Sequence, residues 1–198
     1  MPKARNFKPG VEPSELLEEL RALIEQARQA TARTLSSALT VLYWQVGHRI
    51  RRDVLHEQRA EYGEQVVTTL SQRLTQEFGR GWTKAALTRM MQFAEQFPDP
   101  NIVATLSQQL SWSHFVELLP LKDPLQRDFY AEMCRLENWS VRALRAKIDG
   151  LLFERTGLSR KPAELAAQEL QTLREEDRLT PDLVFRDPYR IAQESPQL

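Results

Sequence analysis

The chain has 198 residues and a mass of 23.0 kDa, enough for one domain with a core of its own. Lys+Arg and Asp+Glu both number 27, so the formal net charge is zero, which excludes a uniformly basic nucleic-acid coat and an acidic disordered chain alike. No apolar run approaches the roughly 18–20 residues of a bilayer span, the opening MPKARNFKPG lacks an apolar signal core, and Cys134 is the only cysteine, so we expect a cytoplasmic protein without disulfides or membrane contact.

Helix formers dominate. There are 28 Leu and 18 Ala against 10 Val and 5 Ile, so the expected fold class is all-α. Proline marks the segments. Pro2, Pro9 and Pro13 crowd the start, and none follows until Pro98. Ser14 suits an N-cap, with Glu15, Glu18 and Glu19 placed to complement the helix dipole. Leu16, Leu20, Leu23 and Ala27, then Leu35, Leu39, Leu42, Val46 and Ile50, recur at helical spacing. They predict one long helix, or two nearly collinear ones, over about Ser14 to Leu55. Gly47 weakens such a helix, which points to close approach by another element there.

A second helix is expected from Tyr62 to Phe78, carried by Val66, Leu70, Leu74 and Phe78. Gly79 then suits a left-handed C′ position. After the turn Gly79-Arg80-Gly81-Trp82, Thr83 caps a third helix to Phe97 with Leu87, Met90, Met91, Ala94 and Phe97 inward. Pro98-Asp99-Pro100 stops it. A short element is expected at Ser113 to Leu119. Asp123 caps a helix with Pro124 at its first position, running to Glu137. Ser140 caps another, with Val141, Leu144, Ile148, Leu151 and Leu152 inward, ending near Arg155. A further helix fits Ala163 to Glu176. The division expected is a disordered arm at 1–13, a helical helix-turn-helix-like domain at 14–158 and an acidic linker or tail at 159–198.

The third helix presents Lys84, Thr88, Arg89 and Gln92 on the face opposite its apolar stripe, with Arg80 in the preceding turn. Amide and hydroxyl side chains beside cations suit base edges and phosphates in a major groove. A solvated polar face explains the same pattern. Arg142 and Arg145 fall in the first two turns of the Ser140-capped helix, where cations oppose the dipole and an anionic partner would offset them. These seven residues are the candidate DNA contacts. Arg49, Arg51 and Arg52 read as a solvated, ion-paired helix end. Asp53, His56 and Glu57 share a helix face, but no second histidine stands near, so neither a metal nor a cofactor is expected. Cys134 reads as a core thiol. Pro181-Asp182 matches the start of a PD-(D/E)xK nuclease motif, yet Lys161 is the last lysine and the motif cannot be completed. Phosphate-binding glycine loops and serine-hydrolase elbows are absent. No catalytic residue is therefore assigned.

Several short motifs occur together in order: Tyr43-Trp44-Gln45-Val46-Gly47, Tyr62-Gly63-Glu64-Gln65-Val66, Gly81-Trp82-Thr83, Trp112-Ser113-His114, Arg127-Asp128-Phe129-Tyr130 and Trp139-Ser140-Val141-Arg142. The set resembles the N-terminal domain of the YhcG-type family, domain-of-unknown-function family 1016, over roughly Leu16 to Gly157. That resemblance implies an all-helical, helix-turn-helix-like domain that precedes a nuclease domain of the PD-(D/E)xK type. Phe185-Arg186-Asp187-Pro188-Tyr189 resembles the junction leading into the nuclease, and the chain stops nine residues later. One departure stands out: where the family tends to place asparagine before the leucine of the third helix, this chain has Ala86. The function expected is thus a non-catalytic DNA-binding or DNA-targeting module, with a nuclease supplied in cis or in trans. The alternative is a helical oligomerisation or protein-interaction module, since the long N-terminal stripe suits a homo-oligomer.

The zero charge is unevenly spread. Residues 1–60 carry +3, 61–97 carry 0, 98–137 carry −3, 138–161 carry +4 and 162–198 carry −4. Two basic helical regions and an acidic end are therefore compatible with a nucleic-acid partner.

Overall fold

A computed structural model describes residues 13–56, 60–177 and Leu183. Among them there are eight α-helices and no strand, so the chain is all-α. The first, α1, runs unbroken over Pro13–His56. At 44 residues it is about 66 Å long. Next come α2 (Ala60–Phe78), a 3-10 turn (Arg80–Trp82) and α3 (Lys84–Gln96). The shorter α4 (Pro100–Leu106) and α5 (Trp112–Leu118) lead to α6 (Pro124–Glu137) and α7 (Val141–Asp149). Two more 3-10 turns precede α8 (Ala163–Glu176). No described helix is long and apolar enough to cross a membrane.

Local chemistry sets most boundaries. Thr83, Asp99, Asp123 and Ser140 each accept a backbone N–H of the first turn that follows them. Pro100 and Pro124 stand at the first helical positions, where no N–H is needed. Asn138 ends α6 in the left-handed region. Two expectations need correction. Pro98-Asp99-Pro100 does end α3, but Asp99-Pro100 also starts α4, whose Val103 and Leu106 are buried. The helix begun at Val141 stops at Asp149 instead of near Arg155, and Leu151 turns out into solvent with φ +52°. A hydroxyl pin fixes that exit: Tyr130 donates to the Lys147 carbonyl (3.2 Å) and accepts from the Phe153 N–H (3.1 Å).

The core has two parts. A larger one gathers Phe93, Phe97, Phe115, Leu118, Phe129 and Tyr130 with Leu144 from α7 and Leu170 and Leu173 from α8. A smaller one joins Ile50, Val67, Leu87 and Met90 where α1, α2 and α3 meet. Trp112 touches both, with its ring 5.2 Å from Tyr43 and 5.6 Å from Phe93. Cys134 is buried, and desolvation pushes its thiol up to about 12, which makes it an inert core group.

α8 is tied to α6 by charge as well as by apolar contact. Glu132 is fully buried, and its two carboxylate oxygens accept from Arg135 (2.8 Å) and Arg174 (2.5 Å). Arg135 also reaches Asp177 at 2.6 Å. Such a buried carboxylate is tolerated only because both oxygens are paired.

α1 is packed at one end only. Its Gly47 lies directly on the backbone of Met90 in α3. Trp44 donates to the Phe97 carbonyl at 2.7 Å, and Arg51 pairs with Glu95 at 2.6 Å. From Leu16 to Leu35, by contrast, every residue is exposed.

Candidate nucleic-acid interface

α2, the 3-10 turn and α3 form one unit. Gly79 takes φ +89°, a conformation that favours glycine, and so lets the chain leave α2 sharply. Trp82 packs edge-on against Tyr43 (6.0 Å) and Phe78 (6.3 Å), which fixes the turn. Thr83 Oγ1 then accepts the Ala86 N–H at 3.3 Å and starts α3. Ala86 is half-buried beside the smaller core and stands off the open face. The inward residues of α3 are Leu87, Met90, Phe93 and Ala94. Phe93 was not expected there, whereas Met91, expected inward, is only half-buried.

The outward face carries Lys84, Ala85, Thr88, Arg89, Gln92 and Glu95, all exposed. Arg80 is exposed in the turn ahead of it. Four of the seven candidate residues therefore share one helix face, with Arg80 exposed in the turn before it. The edge of this face reaches α1, where Glu95 pairs with Arg51 at 2.6 Å.

The charges on this face are not equivalent. Lys84 pairs with Glu64 of α2 at 2.6 Å, and that contact holds the Glu64 carboxyl below its ordinary value. Thr88 donates to the Lys84 carbonyl at 2.9 Å, so its hydroxyl retains lone pairs for a second partner. No hydrogen bond or ion pair to a described residue is found for Arg80, Arg89 or Gln92.

Arg142 and Arg145 stand apart. They sit on α7, which packs on α5 and α6 rather than on α3. Arg142 is exposed. Arg145 lies across Glu117 of α5 through two contacts, Nε at 3.1 Å and Nη2 at 2.5 Å, which lower the Glu117 carboxyl from its usual range. The neighbouring Lys147 covers the Trp139 ring at 4.3 Å. Below them His114 links α5 to the α6–α7 junction. Its Nδ1 accepts from the Ser111 N–H (3.1 Å), so Nε2 carries the proton and donates to the Trp139 carbonyl (2.9 Å). Burial lowers the His114 pKa, so the ring is neutral at neutral pH.

The other two arginines at the inner end of α1 lie near a carboxylate. Arg49 and Arg52 approach Asp53 at 3.3 and 3.9 Å. Of the Asp53, His56 and Glu57 set, Glu57 and the His56 side chain lie outside the described residues, as do Pro181, Asp182 and the 185–189 stretch. No group of metal-ligating side chains occurs among the described residues. A second feature of the surface is a groove of about 520 Å³ between α1 and α2, floored by Val46, Ile50, Val66, Leu70 and Leu74.

Comparison with known proteins bears on this arrangement. The DUF1016 N-terminal domain matches residues 19–155, a span holding the α2–turn–α3 unit, α7 and most of α1. The chain belongs to that family. A relative in Escherichia coli (strain K12), named "Putative nuclease YhcG", is 28% identical over 197 residues, covering 84% of this chain and 52% of its own length. The chain spans about half the length of that curated relative. No solved structure matches. As a DUF1016 N-terminal domain, the chain has a helical body built around the Gly47 crossing and an open α3 face.

Proposed function

We infer that this chain is a non-catalytic DNA-binding or DNA-targeting module. One observation carries the reading: Lys84, Thr88, Arg89 and Gln92 share one exposed helix face, with Arg80 exposed in the tight turn before it. A helix is the element that a major groove admits, and such side chains pair with phosphates and base edges. The kinship with a relative named "Putative nuclease YhcG" supports it, since a nuclease acts on nucleic acid. A nuclease domain would come from the same polypeptide or from another chain.

The surface divides by role. Arg80 and Arg89 meet phosphate or guanine directly. Lys84 and Arg145 first surrender their carboxylate partners, so each contributes less. Arg142 extends the footprint only if the DNA reaches α7.

Fluorescence anisotropy with a labelled duplex at two salt concentrations tests the reading. Binding should weaken steeply with salt, and Arg89→Ala or Arg80→Ala should each reduce the log–log salt slope by about 1. Lys84→Ala should change it less. Absence of binding to any duplex at low salt, or unchanged binding in both arginine variants, overturns the proposal.

A further inference from the structure

The strongest feature that DNA targeting does not use is the free side of α1. A helix of this length normally gains its stability from tertiary packing of one face. Here residues 16–35 are all exposed, yet they carry large apolar side chains: Leu20 is 46% exposed, Ile24 54% and Leu35 60%.

These side chains are not scattered. Eighteen residues make about five turns, so Leu17 lies directly in line with Leu35, and Ile24 with Leu42. Leu17, Leu20, Ile24, Leu35 and Leu42 therefore share one side of the helix, interrupted midway by Arg28 and Thr31. This side runs on, at its inner end, into the groove floored by Val46 and Ile50 of α1 and Leu70 and Leu74 of α2. Thr40, Trp44 and Gly47, which face α3, lie on the opposite side of the helix. α1 thus has two apolar sides, one covered by its own chain and one bare.

We propose that a second copy of this chain covers the bare side, its α1 packed antiparallel on this one about a two-fold axis between Thr31 and Leu35. This proposal stands apart from the DNA reading. Two arguments select a second copy. The first is charge. Residues 13–35 carry four carboxylates and three arginines, net −1, and residues 36–56 carry three arginines and one carboxylate, net +2, even with Glu18 paired to Arg21 and both Arg49 and Arg52 to Asp53. An antiparallel pair brings each acidic end to the partner's basic end, whereas a parallel pair stacks like on like. The second is size. The face is about 50 Å long and about 10 Å wide, so two copies bury on the order of 1,000 Å², the least area expected of a specific interface. In this register Leu20 meets Val46 of the partner subunit and Ile24 meets Leu42 of the partner subunit. The outer part of each α1 then occupies the partner's α1–α2 groove, so the groove and the bare helix fill each other.

The test uses the full chain. Sedimentation velocity from micromolar to sub-millimolar concentration should show a dimer, and Ile24→Glu with Leu35→Glu should convert it to a monomer whose body still unfolds cooperatively. A double variant, Ile24→Cys with Leu42→Cys, should form a covalent dimer on mild oxidation. Either cysteine alone should not, because the two-fold axis keeps like positions far apart, and wild type with its buried Cys134 should not. A monomeric wild type, a dimer indifferent to the two glutamates, or cross-linking in a single variant overturns the proposal.

Discussion

Replacing Gly47 by alanine tests the crossing on which the whole arrangement rests. In an ordinary helix interior this change stabilises by about 0.5–1 kcal/mol, because glycine is the more flexible residue. Here the new Cβ would lie 1.9 Å from the Met90 carbonyl oxygen, 2.3 Å from its carbon and 2.8 Å from the Met91 nitrogen. All three are backbone atoms, so no side-chain rotation relieves the clash. Restoring ordinary contact requires α3 to retreat by about 1.5 Å, a gap that forfeits much of the dispersion attraction along the crossing. The same retreat stretches the 2.7 Å bond from Trp44 to the Phe97 carbonyl. Overpacking against backbone costs about 3 kcal/mol and the lost buried bond about 1, against a propensity gain of about 1. The net loss is about 3 kcal/mol, which lowers Tm by about 6–12 °C in a domain of this size. Thermal unfolding by circular dichroism reads this directly. Gly81→Ala is the control, since nothing lies within 4 Å of its added Cβ. A Gly47→Ala protein as stable as wild type would show that α1 and α3 do not meet here.

Three further outcomes follow from particular contacts. Glu132→Ala leaves Arg135 and Arg174 without their buried carboxylate, so it should cost about 3–5 kcal/mol and speed amide exchange throughout α8. His114 is held below its ordinary pKa of 6.5 by burial, so its stabilising contribution is complete above that pH and drains away as pH falls toward the folded value; urea midpoints should decline below about pH 6.5, and His114→Gln should flatten the decline. Thr83→Ala removes the side-chain cap of α3 and should cost about 1 kcal/mol in denaturant titration, while leaving the exposed cations in place.

The sequence was most readable where the determinant is local. Asp123 with Pro124, Ser140 and Thr83 each cap a helix within a few residues, and those starts stand where expected. Gly47 likewise announced a close approach, although only the fold reveals that its neighbour is Met90. Where one residue serves two elements, the reading fell short. Asp99-Pro100 reads as a stop and is equally a start, because an aspartate cap followed by proline satisfies both. Apolar periodicity carried α7 on to Leu152, but Gly150 and the left-handed Leu151 break it first. Ion pairs across long separations left no local trace. Lys84–Glu64, Arg145–Glu117 and Arg174–Glu132 join residues 20, 28 and 42 apart, and they decide which candidate cations are free. The Leu stripe on α1 was visible from spacing, yet spacing alone does not distinguish a side covered by α3 from a bare one.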